Sequence, residues 1–176
     1  CNARSEKEGL PPVYYALPGR TNVYRVGERE PRQLGQLWAG GYRLPTLSEW
    51  KYAALDGASG GRFPWGDTIS HAQANYYARP SWYAYDLGPE EGLHPLFSAG
   101  ASPWTSPAGC FFAPNYGLFD MLGNVAEWSE TFQEGYFRPN DCFLLGGAYG
   151  HVAVVLRMKE SHGDPPWGLM DSIGFR

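Results

Sequence analysis

Glycine and proline are spread throughout this chain, and that distribution limits how much regular structure it can form. The sequence contains 23 Gly and 15 Pro among 176 residues, without a block or a period. Scattered Gly and Pro interrupt helices and strands and supply turns. Collagen, a flexible linker and a disordered chain would each need a repeat or a biased block. The pattern therefore predicts a single loop-rich domain, whose 7 Trp and 12 Tyr supply buried area.

Charge, hydropathy and cysteine usage exclude several classes of protein. The net charge is −4 and no cluster of Lys and Arg is longer than a pair, so there is no footprint for nucleic acid. No apolar run approaches the roughly 18 residues of a membrane span. Cys1, Cys110 and Cys142 are too scattered for a disulfide framework or a CxxC metal site. The compartment stays open, with the cell surface and secretion both compatible.

Two helices are indicated by their end signals. Residues 1–8 are typical of the end of a helix that is stopped by Gly9. The second helix begins with a capping box, in which Thr46 and Glu49 satisfy each other's backbone N–H groups. Its apolar residues then recur on one face, and Gly57 stands where a C-cap is expected.

The rest of the chain predicts short strands and long ordered loops. Residues 13–16 and 23–26 are β-prone runs that favour a hairpin. Residues 60–114 read as loop, and so long a connection inside a compact domain needs partners for its buried backbone. Residues 115–130 form a further ordered stretch, and we expect at least two strands in residues 143–176.

Four segments in the same order resemble one known family. They are residues 41–50 (GYRLPTLSEW), 64–66 (PWG), 115–128 (NYGLFDMLGNVAEW), and the pair 146–147 (GG) with 174–176 (GFR). These motifs resemble the formylglycine-generating enzyme (sulfatase-modifying factor) family. The resemblance implies an α+β, loop-rich C-type lectin-like fold with two helices and small antiparallel sheets. It also implies that residues 1–176 are one domain that starts partway into the fold, without its first strands.

The resemblance also implies which chemistry to look for. The family's oxidase uses two cysteines beyond the Gly-Gly pair to hold copper, and thiolates suit that soft ion. In this sequence His151 and Leu156 stand at the two matching positions. We therefore expect no copper and no enzymatic activity, with a formylglycine-generating-type oxidoreductase acting on sulfatase cysteines as the alternative.

Other catalytic constellations are weak. The four histidines, His71, His94, His151 and His162, lack the spacing of a metal site, which favours surface or capping roles. Residues 57–61 (GASGG) match the G-x-S-x-G pattern. A nucleophile elbow needs a strand before it and a helix after it, whereas this segment follows a helix.

A structural calcium ion is implied by the resemblance to the family's enzymes. The matching ligands are the carboxylates of Asp120 and Glu127 and the carbonyl groups of Gly123 and Val125. Hard oxygen ligands of this kind suit calcium. A second family site matches Asn75. The alternative is that Asn124 and Asp120 brace a turn and Glu127 caps neighbouring backbone.

The aromatic residues inside these motifs are interpreted as core. This prediction covers Trp50, Trp65, Phe119, Trp128 and Phe175.

The C-terminal segment is the candidate binding region. Some non-catalytic relatives of this fold are variable proteins of diversity-generating retroelements, which place randomised residues between Gly-Gly and G-F-R. By that resemblance the chain is a ligand-binding protein whose partner is a protein or another surface macromolecule.

In the alternative, residues 152–156 form a buried strand of a structural paralogue. On the binding interpretation, Tyr149 and His151 share the exposed face of a strand. The candidate residues are Tyr149, Gly150, His151, Val152, Val154, Val155, Ser161, His162, Gly163, Gly168, Leu169, Asp171 and Ser172.

Overall fold

The fold consists of short regular elements joined by ordered loops. The computed structural model describes residues 1–15, 22–25, 40–55, 61–111, 116–132, 142–164 and 170–175. The helices are α1 (Asn2–Lys7) and α2 (Leu47–Leu55). The strands are β1 (Ala126–Phe132), β2 (Cys142–Leu145), β3 (His162–Asp164) and β4 (Ile173–Gly174). The expected α+β class with two helices is thus confirmed.

Helix α1 ends where the sequence predicted, and one buried side chain ties it to the next segment. Gly9 follows the helix with a φ of +71°, a conformation that glycine adopts at no steric cost. The Asn2 side chain accepts hydrogen bonds from the backbone N–H groups of Val13 (2.9 Å) and Tyr14 (3.0 Å). Tyr15 pairs with Val23 in an antiparallel bridge, as the predicted hairpin requires. The hairpin's turn lies outside the described residues.

Helix α2 begins with the predicted capping box. The Glu49 N–H donates to Oγ1 of Thr46 over 3.2 Å, and the Thr46 N–H donates to Oε2 of Glu49 over 2.9 Å. Arg43 also donates two hydrogen bonds of 2.7 Å to the Glu49 carboxylate. Together these bonds hold the pKa of Glu49 at about 2, with the Arg43 guanidinium as the main cause. The predicted C-cap, Gly57, lies outside the described residues.

The described strands form one four-stranded sheet in the order β3-β2-β1-β4. Strand β2 is antiparallel to β1 and to β3, in agreement with the small antiparallel sheets that the family resemblance implies. Strand β4 is parallel to β1, with Ala126 opposite Ile173 and Glu127 opposite Gly174. The sheet is therefore mixed. Strand β1 lies between β2, which ends at Leu145, and β4, which begins at Ile173.

Residues 61–111 contain only turns and isolated bridges, and buried polar groups order them. Asp86 is 3% exposed and accepts hydrogen bonds from the N–H groups of Arg79 (2.6 Å) and Gly88 (3.0 Å) and from the Tyr76 hydroxyl. Its carboxylate thus satisfies backbone donors that have no strand partner. The expectation of a long, specially stabilised connection is confirmed for these residues.

The main core lies between α2, the long loop and the Gly-Gly turn. Trp50 is 3% exposed there, and Ile69, Tyr76 and Leu156 are fully buried. Trp65 is half-buried against this cluster, and Trp128 packs on a second cluster with Leu144.

Two aromatic residues assigned to the core are not buried. Phe119 is 46% exposed and Phe175 is 70% exposed, so the sequence prediction was wrong for both. Their places within motifs do not decide which way the side chains point.

Within the described part of the chain, neither helix has the length or the apolar character needed to cross a bilayer.

Candidate ligand-binding surface

The candidate segment, residues 149–172, follows a turn that only glycine fits. Gly146 and Gly147 have φ values of +81° and +73°. A Cβ on Gly146 would lie 2.7 Å from the Met121 carbonyl oxygen, and one on Gly147 would lie 2.7 Å from Leu156. Both positions therefore exclude side chains through conformation and space alike. This turn takes the chain out of β2 and into the candidate segment.

The segment after the turn is not a strand. Residues 153–156 form consecutive turns, with hydrogen bonds such as that from the Val155 N–H to the Val152 carbonyl (2.9 Å). Ala153 and Leu156 are completely buried, whereas Val152, Val154 and Val155 are half-buried. The apolar run thus inserts two residues into the core and leaves three at its edge, so the buried-strand alternative is wrong in its secondary structure.

Tyr149 supports the fold rather than standing exposed. It is 6% exposed, and its ring packs edge-on against Trp104 with 6.0 Å between centroids. Its N–H donates to the Asn124 carbonyl over 2.9 Å. The prediction that Tyr149 and His151 share one exposed strand face is wrong, because the backbone turns at Tyr149 and Gly150.

His151 and His162 bring two distant parts of the segment together. Their rings are nearly parallel, at 25°, with centroids 6.2 Å apart. His151 Nδ1 accepts a hydrogen bond from the Ala148 N–H over 3.1 Å, which places its remaining ring proton on Nε2. Burial, and secondarily the charge of His162, lowers the pKa of His151. His162 is exposed, so this pair forms part of the accessible surface.

Asp171 is joined to the same region through a loop residue. The Ser102 hydroxyl donates to Oδ2 of Asp171 over 2.9 Å and lies 3.3 Å from the Tyr149 hydroxyl. Asp171 and Gly150 are exposed, and His151 and Val152 are half-buried. We call this group the C-terminal face. It consists of Gly150, His151, Val152, His162 and Asp171.

The remaining candidates divide into three groups. Val155 packs against the main core, and the Ser172 carbonyl accepts a hydrogen bond from Ala126 N–H over 2.8 Å, so both have scaffold contacts. Val154, Ser161 and Gly163 are half-buried, without a described contact to the face. Gly168 and Leu169 lie outside the described residues.

A neighbouring loop, missed in the sequence analysis, borders the C-terminal face. The Tyr77 N–H donates to the His151 carbonyl over 2.9 Å, and Tyr77 pairs with Val152. The Arg79 guanidinium lies over the Trp82 ring, 4.0 Å from its centroid, and 5.5 Å from that of Tyr77. Trp82 is nevertheless 65% exposed. The two aromatic residues on either side of Arg79, Tyr77 and Trp82, were the available signal.

The other two histidines cap backbone carbonyls, as the capping interpretation predicts. His71 Nε2 lies 3.1 Å from the Tyr76 carbonyl, and His94 Nε2 lies 2.9 Å from the His71 carbonyl. Both are buried, and burial is the main cause of the lowered pKa of His71.

The residues implied as calcium ligands hold N–H donors in this structure. The Asp120 carboxylate accepts from the N–H groups of Gly109 and Phe111, the latter over 3.0 Å. Glu127 Oε2 accepts from the Trp50 indole N–H over 2.6 Å. A calcium ion bound by these carboxylates would have to share or displace those donors.

The other implied ligands are backbone groups and an amide. Gly123 pairs with Asn75, and Val125 follows in the same turn. The Asn75 side chain donates to the Trp104 carbonyl over 2.9 Å. Among the described residues, no three His, Cys, Asp or Glu side chains come together in a metal-binding group.

Calcium binding by Asp120, Gly123, Val125 and Glu127 stays a prediction, and chelation tests it. A site that is saturated at about 100 times its Kd adds roughly 2.7 kcal/mol to the free energy of unfolding. Chelator should then lower the Tm of the wild type, while Asp120→Ala should respond little to chelator. A wild-type Tm that chelator leaves unchanged would favour the turn-bracing role.

Comparison with known proteins agrees with this architecture. A family model for the sulfatase-modifying factor enzyme 1-like domain matches residues 28–176. The formylglycine-generating enzyme of Mycobacterium tuberculosis is 40% identical over 129 residues, covering 72% of this chain and 35% of that protein. Mouse (Mus musculus) inactive C-alpha-formylglycine-generating enzyme 2 is 32% identical over 143 residues, covering 77% and 42%. This chain thus spans less than half the length of either relative.

A solved structure extends the agreement to the fold of nearly the whole chain. Treponema denticola variable protein 1 superimposes with a TM-score of 0.73 and 21% identity, over 99% of this chain and 64% of that one. With the family model covering most of the sequence, this chain belongs to the sulfatase-modifying factor enzyme 1-like family.

Proposed function

We propose that this chain is a non-enzymatic ligand-binding protein that presents a variable surface, as retroelement variable proteins do. The observation that carries the proposal is the chemistry at the two positions matching the family's catalytic cysteines. His151 commits Nδ1 to the Ala148 N–H, and Leu156 is fully buried in the core. Neither residue supplies a thiolate, so the copper chemistry of the family has no ligands there.

The chain's own cysteines do not replace the missing pair. Cys142 is buried in β2, before the Gly-Gly turn, whereas Cys110 is exposed on the long loop. Cys1 is exposed beside α1. None of the three occupies the segment from residue 148 to residue 160.

The C-terminal segment combines buried residues that hold it on the core with exposed residues beside them, and this arrangement supports a binding role. Tyr149, Ala153 and Leu156 are buried and hold the segment on the core. Gly150, His162 and Asp171 are exposed beside them. Exposed substitutions away from caps and core usually change stability by only ~0.5 kcal/mol. These exposed residues can therefore vary at little cost in stability, which a diversified binding protein requires.

The relatives are compatible with this proposal. The mouse relative is named an inactive enzyme, and the Treponema denticola protein of the same fold is named a variable protein. The partner we propose is a protein or another surface macromolecule, because Gly150, His162 and Asp171 of the C-terminal face and the neighbouring Trp82 are exposed. Exposed aromatic groups with adaptable polar neighbours are typical of antibody-like binding surfaces.

Absence of formylglycine-forming activity is the first expected result. Incubation with copper, oxygen and a cysteine-containing sulfatase peptide, followed by mass spectrometry, should show no aldehyde product. The matched control is the double variant Cys110→Ser with Cys142→Ser, which should behave identically. Turnover by the wild type that the double variant loses would establish the oxidoreductase alternative.

The variable-surface part of the proposal is tested in the genome that encodes this chain. A near-repeat of the DNA encoding residues 146–176 should lie close to the gene and differ from it at adenines. The differences should fall in codons of the C-terminal face and spare those of Ala153 and Leu156. A repeat whose differences fall equally in core codons would contradict the proposal, and the lack of any repeat would favour a fixed ligand-binding paralogue.

A further inference from the structure

A basic cleft lies on a part of the molecule that the C-terminal face does not include. It has a volume of about 380 Å³ and is lined by Gly61, Arg62, Asp67, Arg157 and Lys159. Three of these side chains are cationic and one is anionic, in a chain whose net charge is −4. The local balance of charge is thus opposite to that of the whole protein.

The two walls of the cleft are fixed to each other and to the core. The Met158 N–H donates to the Arg62 carbonyl over 2.8 Å, joining the turn at residues 61–67 to the turn at residues 157–160. Met158 itself is 8% exposed within the main core. The cations are therefore held on backbone that cannot separate easily to relieve their mutual repulsion.

The two arginine side chains are oriented by contacts with neighbouring groups. The Arg62 guanidinium lies over the Tyr85 ring, 4.9 Å from its centroid. Arg157 donates from Nε to the Val154 carbonyl over 3.1 Å and from one terminal nitrogen to Glu160 over 2.6 Å. Side chains held in this way lose little rotamer freedom when they bind a ligand.

The carboxylates of Asp67 and Glu160 offset only part of the positive charge around the cleft. Asp67 approaches Arg62 at 3.8 Å, and both side chains are largely exposed, so solvent screens the pair. Glu160 neutralises one side of Arg157, while Lys51 stands close by with Nζ 3.5 Å from the Lys159 carbonyl. Lys159 is exposed, and within the described part of the chain its ammonium forms no ion pair.

We propose that this cleft binds a tetrahedral oxyanion, namely a phosphate or sulfate group. The remaining terminal N–H donors of the two guanidinium groups can bind such an anion, and Lys159 adds a point charge. Phosphate would be held between the turn at residues 61–67 and the turn at residues 157–160. The cleft is independent of the proposed function, because no residue of the C-terminal face lines it.

Titration with inorganic phosphate and with sulfate by isothermal calorimetry tests the site, with sodium chloride at matched ionic strength as the background. The wild type should show saturable binding of one equivalent. Lys159→Ala removes one charge-assisted contact without disturbing buried groups and should weaken binding about tenfold. Arg157→Gln is the second variant and should weaken it similarly. Lys7→Ala removes an equal charge from α1 and should leave the affinity unchanged.

Phenyl phosphate distinguishes the source of the anion. Affinity equal to that of inorganic phosphate would assign the cleft to a phosphate group carried on a larger molecule, and a large loss would assign it to the free ion. Absence of saturable binding would overturn the proposal. Binding that Lys159→Ala, Arg157→Gln and Lys7→Ala all leave unchanged would overturn it as well, with unfolding curves showing that each variant is folded.

Discussion

Trp50→Ala should lower the free energy of unfolding by at least ~3–5 kcal/mol, the usual cost of truncating a buried aromatic residue. Trp50 is 3% exposed, and its indole N–H donates to Glu127, which is itself 5% exposed. The substitution therefore leaves a cavity and removes a donor from a buried carboxylate, a loss that adds roughly 1–3 kcal/mol. Urea titration followed by circular dichroism measures the change.

Trp128→Ala is the matched control for Trp50→Ala. Trp128 is half-buried and packs on the smaller cluster of Ala126, Leu144 and Ala148. Less apolar area is lost there, so its cost should be clearly smaller. Equal losses at the two tryptophans would show that the main core does not dominate the stability of this fold.

Gly123→Ala should prevent the domain from reaching its native structure. A Cβ at this position would lie 2.3 Å from the Asn75 carbonyl oxygen, and the residue has a φ of +77°. The obstructing atom belongs to backbone, and the Asn75 carbonyl is fixed by a 2.8 Å hydrogen bond from Asn124 N–H. The clash cannot be relieved by a side-chain rotation. The yield of soluble, cooperatively unfolding protein measures the effect.

Gly117→Ala separates the two causes of that effect. Gly117 has a similar φ of +70° but open space where a Cβ would be. It should incur only the left-handed backbone penalty of ~1–2 kcal/mol and should remain folded. If Gly117→Ala and Gly123→Ala are equally damaging, backbone conformation rather than close packing controls both positions.

Local signals in the sequence predicted those parts of the fold that local physics decides. The capping box at Thr46 and Glu49 was visible because both partners lie within one helical turn. The stop of α1 at Gly9 rested on that residue's preference for positive φ. The family motifs then supplied the architecture, which periodicity alone could not.

Side-chain direction in irregular segments could not be predicted in the same way. An apolar run gives no period when the backbone makes successive turns, so the burial of Tyr149 and of Leu156 depends on tertiary contacts. The 6.0 Å contact of Tyr149 with Trp104 joins residues 45 positions apart in the sequence. The Arg79 and Trp82 stack escaped notice because it lies in a loop that no motif marks.

The place of β1 in the sheet has a consequence for how this chain tolerates changes in length. One side of β1 pairs with β2, just before the candidate segment, and the other side pairs with β4, just after it. The entropic cost of bringing the two ends of this segment together is therefore offset by the hydrogen bonds of β1 with β2 and with β4. These bonds do not depend on the residues in between. Because closure entropy grows only with the logarithm of loop length, doubling the length of this segment would lower the free energy of unfolding by about 0.6 kcal/mol. The domain should thus accept insertions at exposed positions beside the C-terminal face at a small cost in the free energy of unfolding.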